Sequence, residues 1–211
     1  MNTLPGRARR LTVVLTLLAV SAIVVPNVIS NLQTVQKARA ADAKRSRGHR
    51  SPLSFTDDGQ LLQPRGYRRW VYVGTPLTPN DMNGGQAAFP EFHAVYINPE
   101  AFAAYEATGE FPNGTVLVKE LVSVATKSAT SGKGYFMGEF TGLEVAVKDQ
   151  TRFQSEPGNW AYFSFGHELP LAEQVGRQAV ASCSTCHGAS ADQDYVFTQY
   201  YPVLRAAKPA K

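Results

Sequence analysis

The residues best able to do chemistry are Cys183-Ser184-Thr185-Cys186-His187. Two thiols three positions apart, followed at once by an imidazole, match the pattern of covalent haem c attachment. Each thiol can add across one vinyl group, and the spacing sets both sulfurs along one porphyrin edge. The adjacent histidine then falls under the iron as its proximal ligand. The chain has two cysteines in all, so no further thiol competes with this pair. A thioredoxin-like Cys-x-x-Cys would open a helix after a strand in a βαβ unit and would not need His187. A zinc site would need more ligands, and no second Cys or His pair lies nearby in the sequence. The expected cofactor is therefore haem c, bonded through Cys183 and Cys186, with His187 on the iron.

Other residues draw notice by their setting. In the strand-like run Thr115–Val124, alternation puts Leu117, Lys119 and Leu121 on one face and Val116, Val118, Glu120 and Val122 on the other. Both faces are mainly apolar. A lysine there is pushed toward its neutral, nucleophilic form, unless it reaches solvent from an edge strand. Glu144 lies among Gly142, Leu143, Val145 and Ala146, where a carboxylate can act as a general base or simply mark the outer face of a half-buried strand. Glu139 is the alternative acid, and alternation does not choose between them. His93 reads as a strand histidine at the core margin, and His167, after Gly166, as a surface loop residue. Either would serve as a sixth iron ligand in an electron carrier. Phe92, Tyr135 and Phe136 are candidate pocket walls or ordinary core.

These residues must be positioned by a strand-rich chain. Tyr67–Gly74 predicts the first core strand, Glu91–Asn98 the second and Thr115–Val124 the third. Asn98-Pro99 predicts the N-cap and first turn of a short helix ending near Gly109. Lys127–Gly134 reads as a loop, with strands over Gly134–Phe140 and Leu143–Lys148 broken around Gly142. A turn at Glu156–Asn159 precedes a strand over Trp160–Phe165. Leu171–Ala181 is expected to be a helix delivering the cysteine pair, and Tyr195–Ala207 has helical spacing. The expected fold is one α+β domain over residues 54–211. It is an antiparallel sheet with short helices, and C-terminal helical segments pack the haem against it.

The N-terminus reads as an export signal. Arg7, Arg9 and Arg10 precede an apolar run, Leu11–Val25, that is short for a membrane span. Residues 1–40 are expected to be a signal peptide cut after Ala38-Arg39-Ala40 or after Ser30, or an uncleaved anchor. Residues 41–53 would be a flexible tail, with His49 a solvated side chain. Haem c is attached outside the cytoplasm in bacteria, so both signals point to the periplasm. Five of the 21 basic residues and none of the 17 acids fall within residues 1–40. The remainder carries 16 bases against 17 acids, a net charge of −1. The basic balance is a targeting signature, and nucleic acid is not an expected partner.

Strands come first and the haem motif last. In small soluble electron carriers the motif is near the N-terminus and a later methionine fills the sixth position, but Met82 and Met137 both lie upstream here. The late placement is similar to that of the cytochromes c′, yet those are four-helix bundles. Instead the chain resembles the cytochrome P-460 family, which includes the β-type cytochromes c′. The resemblance runs through Gly66–Val71, Phe111–Leu121, Gly134–Gly138, Val147–Asp149, Arg152-Phe153, Glu156–Trp160, Val196-Phe197 and Tyr201–Leu204.

That resemblance implies a periplasmic, homodimeric oxidoreductase that oxidises hydroxylamine to nitrous oxide or nitrite and passes electrons to a soluble cytochrome c. It implies a third covalent link to the haem through Lys119, and Glu144 as a carboxylate on the distal side of the iron. Where His93 aligns, a related P-460 protein has arginine, and either side chain can hold a hydrogen bond in the distal pocket. Two other readings remain open at this point. One is a nitric oxide or gas-binding protein of the c′-β kind, without the Lys119 link. The other is a simple electron-transfer cytochrome.

Overall fold

The computed structural model describes residues 52–209. The expected signal peptide or anchor over 1–40, and the tail with His49 as far as residue 51, lie outside the described residues.

Runs of alternating β-branched and aromatic residues become strands, and Gly, Pro and Asn punctuate them. In chain order the elements are β1 (Leu61–Leu62), β2 (Val71–Gly74), β3 (Phe92–Ile97), α1 (Pro99–Thr108), β4 (Val116–Ala129), β5 (Gly132–Lys148), β6 (Trp160–Ser164), β7 (Gln174–Val175), α2 (Ser184–Ser190) and α3 (Pro202–Ala207). Strands β2 to β6 form one antiparallel sheet in sequence order, and β1 pairs with β7. The architecture is α+β, as the strand and helix signals predict.

Side-chain alternation splits the sheet into two apolar faces. Val116, Val118, Leu143, Val145, Val147 and Phe163 fill one core, closed by Leu61, Tyr67 and Phe153. Val95, Ile97, Leu117, Trp160 and Tyr162 fill the other, together with Ala101 and Tyr105 of α1, Leu204 of α3, and Cys183 against its margin. Each fully buried side chain of this kind contributes about 1.5–3 kcal/mol, so the second face ties the sheet to α1 and α3 while the first ties it to β1 and the connecting loops. Glu120 points into the first face and is only 5% exposed. Its carboxylate accepts from Tyr67 Oη at 2.8 Å and from Arg68 Nε at 2.7 Å, which pairs a charge that would otherwise be costly to bury.

Several expectations are corrected. Tyr67–Arg69 is a 3₁₀ turn and the strand starts at Val71. Asn98 does sit before α1, but its side chain makes no cap bond. Its Oδ1 accepts from Val116 N at 2.8 Å, so the residue joins α1 to β4 instead. Lys127–Gly134 is not a loop: β4 and β5 run through it and turn only at residues 130 and 131. The strand is continuous past Gly142, where the register slips so that Leu121 faces Gly142 and Val122 faces Phe140. Leu171–Ala181 is extended rather than helical. Gln174-Val175 pairs with β1, Ala172 N donates to Phe165 O at 2.9 Å and Gln178 N to Tyr162 O at 2.7 Å. Tertiary pairing overrides the local pattern there. The helical tail is two short pieces, a 3₁₀ turn at Thr198–Tyr200 and α3.

Candidate cofactor site

The cysteine-histidine motif straddles the start of α2. Cys183 is the residue before the helix, and Cys186 and His187 are its third and fourth residues, closing the first turn. His187 N donates to Cys183 O at 3.0 Å, the helical bond that brings the imidazole back over the first cysteine. Neither thiol is in a disulfide: Cys183 is half-buried and Cys186 exposed. Burial pushes the Cys183 thiol up from its ordinary value, and the Glu144 carboxylate adds to this.

His187 is held from one side. Its Nδ1 donates to the carbonyl of Tyr195 at 2.7 Å, an assignment that leaves Nε2 with the lone pair. The rings of Tyr162 and Phe197 flank it at 4.5 and 4.7 Å between centroids. Burial pulls the ring below the ordinary histidine range while the Tyr195 carbonyl opposes this. The imidazole is therefore neutral at pH 7, as a metal ligand must be.

The backbone that supplies this carbonyl is unusual. Asp194 and Tyr195 have φ of 45° and 62°, the left-handed region that costs a non-glycine residue about 1 kcal/mol or more. Side chains hold them there. Asp194 accepts from Lys148 Nζ at 2.6 Å and from Trp160 Nε1 at 3.2 Å. The Tyr195 ring lies so close to Gly158 and Gly188 that an added Cβ would stand 2.6 and 2.8 Å from it.

A second cluster lies on the same sheet face. Register places Lys119 opposite Glu144, Val95 opposite Lys119, and His93 opposite Leu121. Lys119 Nζ forms an ion pair with Glu144 Oε2 and sits 4.3 Å from the centre of the Phe89 ring. His167 Nε2 meets Glu144 Oε1 at 3.0 Å. Burial works to raise the Glu144 carboxyl, but Lys119 and then His167 outweigh it and hold the group below its ordinary value. His93 is pulled down to about 4 by burial and by the Lys119 charge, and its buried Nε2 has no hydrogen-bond partner. Lys119 and Glu144 contribute to the electrostatics of both Cys183 and His187.

The structure thus brings Lys119, Glu144 and His93 onto the face that Cys183 and His187 adjoin. It separates Glu139, which is exposed beyond the register slip. Phe92 faces away from His93 by strand alternation. Tyr135 and Phe136 lie on the outer half of the β4–β5 hairpin, where Tyr135 Oη donates to Asp81. The aromatic against Lys119 is Phe89, which the sequence reading passed over. It also missed the Asp194-Tyr195 support, and read His167 as plain surface. No spacing rule announces these three. They depend on how loops fold onto β5 and α2.

The donor set fits a covalently held haem. Two free thiols stand one helical turn apart, and the neighbouring imidazole has Nδ1 satisfied and Nε2 bare. A buried, unpartnered His93 Nε2 and an aromatic-lined lysine lie on the same face. Among the described residues no group of three or more His, Cys, Asp and Glu side chains is arranged to hold a metal ion by itself. The protein-family model described as Cytochrome P460 matches residues 64–198. No curated protein matches the chain.

Proposed function

The chain belongs to the cytochrome P460 family, a haem c protein and haem enzyme of that kind, and we propose that its reaction is the oxidation of hydroxylamine to nitrous oxide or nitrite. Cys183 and Cys186 hold the haem by thioethers, His187 binds the iron, and Lys119 forms a third covalent link to the porphyrin. The bound haem supplies an electron sink that drains to a soluble cytochrome c. The observation that carries this reading is the register pairing of Lys119 with Glu144 on the face adjoining His187.

The residues divide the remaining work. Glu144, with His167 Nε2 against its Oε1, takes protons from the N–H and O–H groups of hydroxylamine. His93 is neutral above about pH 5, since its value is about 4. Its unpartnered Nε2 orients the small substrate by one hydrogen bond without adding charge. The Tyr195 carbonyl fixes the tautomer and tilt of His187. Phe89 covers Lys119 and limits the space beside Glu144. The protein is exported to the periplasm and works as a homodimer.

Mass analysis of haem peptides tests the covalent part. A proteolytic fragment containing Lys119 joined through haem to one containing Cys183 and Cys186 is the expected product. A haem carried only on the Cys183–Cys186 fragment would remove the Lys119 link and leave a gas-binding role. Glu144→Ala is expected to lower hydroxylamine turnover by about 100-fold or more, and wild-type turnover in that variant would remove the base assignment.

A further inference from the structure

We propose that His167 is the proton exit of this site, a positioning residue that carries protons from Glu144 to the solvent cleft beside it. The inference rests on the base role given to Glu144 above.

The two carboxylate oxygens of Glu144 face different ways. Oε2 meets Lys119, toward the face with His187, and Oε1 meets His167 Nε2 at 3.0 Å. Among the described residues these are the only titratable side chains that touch Glu144. Once the Lys119 nitrogen is committed to a covalent link, Oε2 is released for substrate and Oε1 keeps its imidazole. The Glu144 side chain is 23% exposed and His167 41%, so the histidine spans from a largely buried carboxylate to water. It lines a cleft of about 490 Å³.

The histidine is held there by design of the backbone. Leu143 N donates to Gly166 O at 3.1 Å and Phe165 N to Leu143 O at 2.9 Å, which ties the loop to β5 beside Glu144. Gly142 allows the approach. A Cβ there would stand 2.7 Å from Gly166 O and 3.0 Å from His167 Cα. The Phe89 ring braces the imidazole at 5.7 Å between centroids. Charged and titratable groups face His167 from every side. Glu144 on β5 has Lys119 of β4 behind it, Glu168 is on the same loop, Glu91 and Asp81 precede β3, and Lys127 of β4 stands with Tyr135 of β5 at the far wall. Asp81 is already taken by Lys127 and Tyr135. The acids leave the cleft receptive to an imidazolium.

The step balances as proton transfer alone. At rest the ring donates Nε2–H to Oε1 of the ionised carboxylate. Once substrate has protonated Glu144, cleft water shifts the ring to its Nδ1–H tautomer, and Glu144 gives its proton from Oε1 to the bare Nε2. The imidazolium gives a proton from Nδ1 to water in the cleft. That leaves Nε2–H facing the ionised carboxylate again, and no electrons move.

The test uses the full, haem-loaded protein and its His167→Ala, His167→Gln and Glu144→Gln variants. His167→Ala should lower kcat for hydroxylamine by about 10-fold or more with KM little changed, and added imidazole should restore much of the loss. His167→Gln keeps a hydrogen bond to Glu144 but cannot carry a proton, so it should be as slow and insensitive to imidazole. In protein carrying ¹³C-labelled glutamate, the Glu144 carboxyl titration should move upward in His167→Ala, a readout independent of turnover. Wild-type kcat in His167→Gln, absence of imidazole rescue, or an unmoved Glu144 titration would each overturn the proposal. If Glu144→Gln is slow while His167→Gln is not, only the exit fails. If Glu144→Gln also turns over normally, the base reading itself falls.

Discussion

His93 is buried with one ring nitrogen unpartnered, so protonating it inside the fold is costly. Its folded value of about 4 lies below the 6.5 expected of an unfolded histidine. A depressed base gives stability that is complete above the unfolded value and lost as pH falls through the folded one. The window is therefore about pH 6.5 down to 4. At pH 5 the linkage relation places the loss at about 2 kcal/mol. Urea unfolding at pH 7.5 and pH 5 should show that drop in the wild type, and a smaller one by a similar amount in His93→Gln. A second residue-scale prediction concerns Asp194. Asp194→Ala leaves Lys148 Nζ with only the Phe111 carbonyl, strips the partner from Trp160 Nε1 and frees the strained Tyr195 carbonyl. Stability should fall by about 1–3 kcal/mol, read as a lower urea midpoint.

Among elements, β5 carries the most. It pairs with β4 and β6, presents Glu144 to Lys119, and accepts the Gly166-His167 loop at Gly142. Gly142→Ala should therefore do two things. The added methyl meets backbone atoms, so the loop must shift, at about 1–3 kcal/mol. The shift lengthens the Glu144–His167 contact, so turnover should drop in the same variant under conditions where it remains folded. Circular dichroism alongside activity separates the two effects. The same strand explains a misreading. Its first residues, Gly132–Gly134, form a two-stranded ribbon with the end of β4, Lys127–Ala129, beyond the reach of β3 and β6. With neither face covered, no apolar alternation is selected, and Ser, Gly and Lys look like a loop.

At the scale of the molecule, the two cores have separate duties. One face carries Lys119, Glu144 and His93, and the other closes the fold around Phe55, Phe153 and Phe163, whose rings meet edge-on or tilted at 6.0–6.2 Å. Phe163→Ala should cost about 3–5 kcal/mol, visible as an earlier thermal transition. Hydroxylamine turnover per folded molecule should stay near the wild-type value, because the cavity opens on the opposite face of the sheet. A matching loss of turnover below the transition would mean that the two faces are mechanically coupled.

Much of this was legible in the sequence because it is local. Cys183, Cys186 and His187 declare themselves by spacing, and helix geometry does the rest. Period-two alternation placed Lys119 with Leu117 and Leu121 and sent Glu120 to the opposite face, which is where both lie. Pro99 and Gly109 marked α1 within a residue or so. What alternation cannot supply is register, since it states which face a side chain occupies but not which residue stands opposite. Only strand pairing put Glu144 rather than Glu139 beside Lys119. Loops are still less readable, because Gly166, Asp194 and Tyr195 take positions imposed by distant partners: β5 for the first, Lys148 and Trp160 for the others. Local chemistry therefore marks Cys183, Cys186 and His187 as a haem-attachment pattern, because their spacing is read along one stretch of chain, and the tertiary fold decided which carboxylate stands beside Lys119.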